Sequence, residues 1–322
     1  MIVGIPTPGD FEKAGLSFLH LAWIVAVKSL QDLEQADELI EDGYADKTER
    51  AAAHNAYWVK KQPSLRNAFA LIQQGIELGL KGRIAAVSPY LLIARDARDY
   101  PSGSDQNDTE FSAFRSLDAA DLSRVHNTHC PSRLTEDFRQ FWEKVRRQRN
   151  ALMHSVAASQ PITANELLAH VLHANSYIFG DVLWPARRLR HHTDDEFADF
   201  SFDYDFTRNE LLAEADTVLR SLLPKLAKAF YGFDKKQRTY LCPRCYDETD
   251  HHFRDDLSRL AQLRPKSATA TTLWCPVCEQ ATRVVRDSCT NAAECKSNVI
   301  CDDAGYEGMC LICERHQIEA KR

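Results

Sequence analysis

Cysteine is nearly absent from the first 240 residues: Cys130 stands alone there, although the 322-residue chain holds ten. A disulfide framework therefore cannot organise that stretch. Long hydrophobic runs are missing too. The most apolar one, "GLSFLHLAWIVAV" (15–27), has 13 residues and includes His20, whereas a membrane span needs roughly 18 or more. Neither a basic n-region nor a cleavage-site pattern marks the N-terminus. The expectation is a soluble, cytoplasmic protein with no membrane partner. Nor is there an excess of positive charge. The net charge is −6 and the pI about 6.1, which excludes long-range attraction of nucleic acid, so any anion site must be local. No repeat of 20–50 residues and no strand pattern before 238 are visible.

What is present is length and apolar content, with 44% of the residues hydrophobic and 27% charged. That suffices for a large helical domain and a smaller unit, each with a core. Amphipathic stretches at 11–41, 45–61 and 64–87 predict helices, the last ended by "SPY" (88–90). A turn-rich region (99–131) follows, with a short helix near 117–125, then a helix over 133–155. Two capping boxes, "TANE" (163–166) and "TRNE" (207–210), predict helices running to about 180 and 231, with Pro224 kinking or dividing the second. The cysteines then begin, and the pattern shortens to "TYLC", "TTLWC", "TRVVR", "NVIC" and "MCLIC". The predicted fold is mainly α: an antiparallel helical bundle over 1–235, followed by a small β-rich zinc-ribbon domain over 236–322.

One helix breaks its own pattern. Leu134, Phe138, Phe141, Val145 and Leu152 form an apolar stripe whose missing member, between Val145 and Leu152, is Arg149. Asn150 and His154, four residues apart, stack on one face. Arg139, Lys144, Arg146 and Arg147 make the helix basic. A structural reading has Arg149 snorkelling or pairing with a carboxylate such as Glu77.

"RNALMH" (149–154) resembles the Arg-polar-x3-His signature of the HEPN superfamily, all-helical domains found in RNases of bacterial toxin, abortive-infection and CRISPR-associated systems. The stretch "QQGIELGLKGRIAAVSPYLLI" (73–93), with Glu77 four residues before Lys81, is similar to the first helix of several HEPN families. The likeness covers roughly residues 10–190. It implies a metal-independent endoribonuclease with Arg149, Asn150 and His154 catalytic and Glu77, Lys81 and Arg146 supporting. It also implies an RNA substrate, a dimer or higher oligomer that supplies a second His, a defence or toxin role, and a regulatory or neutralising protein. Where some HEPN domains carry a modifiable Tyr two residues after the His, this chain has Val156. A non-catalytic adaptor for nucleic acid or protein is the competing reading.

Nine cysteines follow position 240. "CPRC" (242–245) and "CPVC" (275–278) are knuckles 29 residues apart, and "CTNAAEC" (289–295) with "CLIC" (310–313) form a second set. Paired thiolates at this spacing read as four-sulfur zinc sites. Cys242, Cys245, Cys275, Cys278, Cys289, Cys295, Cys310 and Cys313 are the expected ligands of two structural zinc ions, with Cys301 spare. Pairing of Cys275/Cys278 with Cys310/Cys313 stays open. Few Lys or Arg flank the knuckles, which favours a structural role. "HNTHC" (126–130), His170 and His173 read as packing or loop histidines before metal ligands. "RRLRHH" (187–192) is either a phosphate patch or a solvated helix end. The acidic "TDDEFADFSFDYDF" (193–206) is either a loop or a shield over a basic surface.

Overall fold

The computed structural model describes residues 1–44, 46–93, 96–154, 161–180, 182–193, 204–249, 254 and 257–317, the side chains of 38, 153, 154, 193 and 204–207 excepted. The acidic stretch therefore lies largely outside the described residues. The chain forms two compact units, Met1–Asp181 and Val182–Arg322.

The first unit is built on two long helices, α1 (Pro8–Gly43) and α2 (Lys47–Ala85). Thr7 opens α1 with a reciprocal capping box to Asp10, and the Asp46 carboxylate caps α2. Their contacts run in opposite directions along the chain. Gly82 lies by Phe11 and Gly75 by Gly15, while Lys61 bonds Asp32 at 2.7 Å and Tyr57 bonds Ser29 at 2.5 Å. The helices are thus antiparallel. Leu65, Phe69, Ile72, Ile76, Leu80 and Ile84 form the buried stripe of α2, each contributing about 1.5–3 kcal/mol. Against it pack α3 (Ala119–His129), α4 (Glu136–His154) and α5 (Ala164–Ile178), the last also touching α1. The predicted Thr163/Glu166 box opens α5, with both bonds present.

Within α1 an 18-residue window has mean hydropathy 1.3, long and apolar enough by length and composition to cross a membrane. Of that window 44% is buried, and Leu19, Ala22, Trp23, Ala26 and Val27 lie in the core, which accounts for its apolar character.

Two expectations change here. The helices expected at 45–61 and 64–87 are a single helix that runs through Pro63. The Gln62 side chain holds that turn: it donates to the Trp58 carbonyl at 3.3 Å and exchanges two bonds of 3.0 Å with the backbone of Ile162. Also, β1 (Ile2–Val3) pairs in parallel with β2 (Thr109–Glu110), although no strand pattern precedes 238. Two residues are too few to show alternation.

The second unit joins α6 (Trp184–Thr193), α7 (Tyr204–Ser221) and α8 (Pro224–Tyr231) to the cysteine module. Helix α7 begins before Thr207, so "TRNE" lies inside it and not at its start. Pro224 does divide the region into two helices. A short α9 (Pro243–Asp247) follows, then an antiparallel sheet in the order β3 (Gln262–Arg264), β4 (Thr272–Trp274), β5 (Ala281–Val285) and β6 (Ile300–Cys301). "MCLIC" makes only isolated bridges, and β3 was not foreseen. The compositional boundary at 236 marks where cysteines begin; the compact units divide about 55 residues earlier, because side-chain bonds tie α7 and the stretch after α8 to the module. Arg208 pairs with Glu248, and Asp234 exchanges hydrogen bonds of 2.9 and 2.8 Å with the Gln262 side chain.

Candidate functional site

Helix α4 buries Phe138, Trp142 and Val145 and ends in the Arg-Asn-x3-His motif. Arg149 is half-buried. Its Nε is fully enclosed and has no acceptor among the described residues, while its Nη1 donates to the Asn150 side-chain oxygen at 3.3 Å. Among the described residues no carboxylate pairs with it. A guanidinium placed where an apolar residue is due, and left without a counter-charge, has donor capacity for an anion. Asn150 is exposed. His154 is the last residue of α4, and its side chain lies outside the described residues.

The supporting residues are engaged elsewhere. Glu77 and Lys81 form an ion pair of 2.8 Å at 15% and 11% side-chain exposure. Gln73 donates to Glu77 at 2.9 Å, and Lys81 donates to the Ser116 hydroxyl at 3.3 Å. Glu77 is therefore not the partner of Arg149. Arg146 pairs with Glu143 at 2.9 Å and lies over the Trp142 ring, bonds made along its own helix. Nothing in the sequence pointed to Ser116, which is 35 residues from Lys81.

Of the other histidines the sequence singled out, His126, His170 and His173 are packing residues. His126 is 1% exposed, and burial lowers its pKa. His129 is exposed, and Cys130 donates to the Arg83 carbonyl at 3.6 Å. His170 contacts the Glu166 carbonyl, and His173 stacks on Tyr177; burial lowers both pKa values. Within "RRLRHH", Arg188 is 3% exposed and holds Glu214 with two bonds, while Arg190 and His191 are exposed.

The cysteines assemble into two clusters: Cys242, Cys245, Cys275 and Cys278, and Cys289, Cys295, Cys310 and Cys313. The alternative pairing of knuckles is not seen. Within each cluster all sulfurs lie within 4.8 Å of one another. Cys242–Cys278 and Cys245–Cys275 are separated by 3.7 and 3.8 Å, Cys289–Cys313 and Cys295–Cys310 by 3.6 and 3.8 Å. A tetrahedron with metal–sulfur bonds of about 2.3 Å has edges of about 3.8 Å, so both sulfur sets fit zinc. Cys301, buried in β6, belongs to neither.

Backbone N–H groups are aimed at the sulfurs. Burial works to raise Cys310, but hydrogen bonds from the N–H groups of Cys313 and Ile312 outweigh it and bring the thiol to about 7. Hydrogen bonds from Cys242, Cys245 and Cys275 hold Cys278 far below the usual thiol range, while hydrogen bonds within the same cluster push Cys245 and Cys275 well above it. Cys278 and Cys310 are thus the members most ready to be thiolate, the form that binds metal. The clusters are also joined: Leu241, beside Cys242, donates its N–H to the carbonyl of Leu311, beside Cys310, at 3.0 Å.

In comparisons with known proteins, no family model, curated protein or solved structure matches this chain.

Proposed function

We propose that this protein is a metal-independent endoribonuclease of the HEPN type, acting in cytoplasmic defence or as a toxin, with a module stabilised by two structural zinc ions. The observation that carries the reading is Arg149, whose enclosed Nε has no acceptor and which pairs with no carboxylate among the described residues. An always-charged fork held this way suits the oxygens of a phosphodiester.

In the reaction the RNA 2′-oxygen attacks its own phosphorus, forming the O2′–P bond and breaking the P–O5′ bond. The products are a 2′,3′-cyclic phosphate and a 5′-hydroxyl. One imidazole takes the 2′ proton and another protonates the leaving oxygen. Arg149 offsets the charge of the crowded phosphorane, and Asn150, bonded to it at 3.3 Å, fixes its orientation. His154 is the proton carrier on each chain, so a second copy supplies the second imidazole. Zinc, when bound, holds the knuckles and takes no part in the cleavage.

The test is RNA cleavage in magnesium-free, EDTA-containing buffer, with the termini read by mass spectrometry. Cyclic-phosphate ends are expected. His154→Ala and Arg149→Ala should each lose at least about a hundredfold in rate with the melting temperature kept. Wild-type protein that binds RNA without cutting it supports an adaptor and overturns the enzyme.

A further inference from the structure

The module that follows α8 holds a cavity of about 300 Å³, open to solvent and lined by Gln237, Arg238, Tyr240, Lys266, Ser267 and Arg286 among others. Three of these are cations and none is an acid. Segments 233–238, 263–267 and 286–287 together carry six Lys and Arg against two carboxylates, in a chain whose net charge is −6. One carboxylate, Asp234, is paired with Lys266 at 2.7 Å; the other, Asp287, accepts the N–H of Ser288. Arg286 is the informative member. Its Nη2 donates to Asn298 at 2.9 Å, but its Nε and Nη1 are enclosed and have no acceptor among the described residues. Arg238 is exposed and lies over the buried Tyr240 ring at 5.6 Å, which positions its charge at the rim of the cavity.

Three cations around one open cavity, one of them short of acceptors among the described residues, suit an anion with several acceptor oxygens. A lone phosphate would leave the cavity partly empty, whereas one nucleotide of a strand suits its size and its open mouth. We propose that this cavity binds a backbone phosphate of single-stranded RNA, which makes the module a substrate-holding surface in addition to a metal-stabilised one. The ligand class rests on the ribonuclease reading; the geometry does not. Knuckles flanked by few basic residues gave no sign of the site, because its cations come from three separated segments that the sheet brings together.

The test uses the full chain carrying His154→Ala, so that binding is read without cleavage, and a short fluorescein-labelled single-stranded RNA. Arg286→Gln and Arg238→Gln should each weaken binding about tenfold, the loss of one charge-assisted contact. Each should also lower the slope of log affinity against log salt by about 0.7. Zinc content and circular dichroism should be unchanged; should Arg286→Gln fail to fold, exposed Arg238 carries the test. Arg283→Gln is the control, since Arg283 is exposed on β5 and pairs with Asp303. Unchanged affinity in both pocket variants, or an equal loss in the control, overturns the site. Displacement of RNA by inorganic phosphate or AMP as effective per mole as unlabelled RNA overturns the strand and leaves a small-anion pocket. RNA cleavage by the parent chain is measured separately, so failure of the enzyme and failure of this site give different results.

Discussion

A charge kept mostly out of water stays stable only while its partner stays with it. Glu77 and Lys81 are in that position, at 15% and 11% side-chain exposure. Glu77→Ala would leave Lys81 with only the Ser116 hydroxyl, at an expected cost of up to about 3 kcal/mol. Urea denaturation should show an earlier midpoint, with RNA cleavage per folded molecule retained. An unmoved midpoint would show the pair to be dispensable, and lost cleavage would give it a part in the chemistry. Arg149 has the opposite profile, since no carboxylate among the described residues pairs with it and none of those would be stranded by its removal. Its unusual place was legible in the sequence because an apolar stripe is interrupted there. That Glu77 is not its counter-ion was not, because Glu77 sits at a plausible distance along the chain and only the fold shows it occupied by Lys81 and Gln73.

Helices α1 and α2 approach closely where two glycines meet. A Cβ on Gly75 would lie 2.8 Å from the Gly15 carbonyl oxygen and 3.0 Å from Leu19. The oxygen is backbone and cannot turn aside, so Gly75→Ala must push the helices apart. We expect a loss of about 1–3 kcal/mol, read as a lower melting temperature. Gly43→Ala, which meets nothing within 4 Å, should leave it unchanged or raise it. Equal melting of Gly75→Ala and the parent would mean that the helices can separate freely. Periodicity and capping residues made most helices of this unit legible. The continuity of α2 through Pro63 was not, since Gln62 is held by Ile162, 100 residues away. The strand expected at "MCLIC" failed for a related reason: those residues turn around sulfurs, and a knuckle leaves too few for a ladder.

The cysteines placed a boundary at 236, but α6, α7 and α8 share a compact unit with the module. They carry no cysteine, so composition could not assign them. Tyr231, 2% exposed, and the bonds from Asp234 to Gln262 are tertiary facts invisible to spacing. Stripping the metal under reducing conditions should therefore raise hydrogen exchange in 204–231 as well as in the knuckles, with 8–85 unaffected. Unchanged exchange in α7 and α8 would show that these helices stand without the clusters. The bond from Leu241 to Leu311 adds a consequence for assembly. Each cluster, once filled, fixes one end of that bond and so lowers the entropy lost in ordering the other. Occupancy should then be cooperative: during titration, native mass spectra should be dominated by chains with no ion or two, and the singly loaded species should stay scarce. The metal content of this protein would behave as a switch between two states and not as a graded quantity.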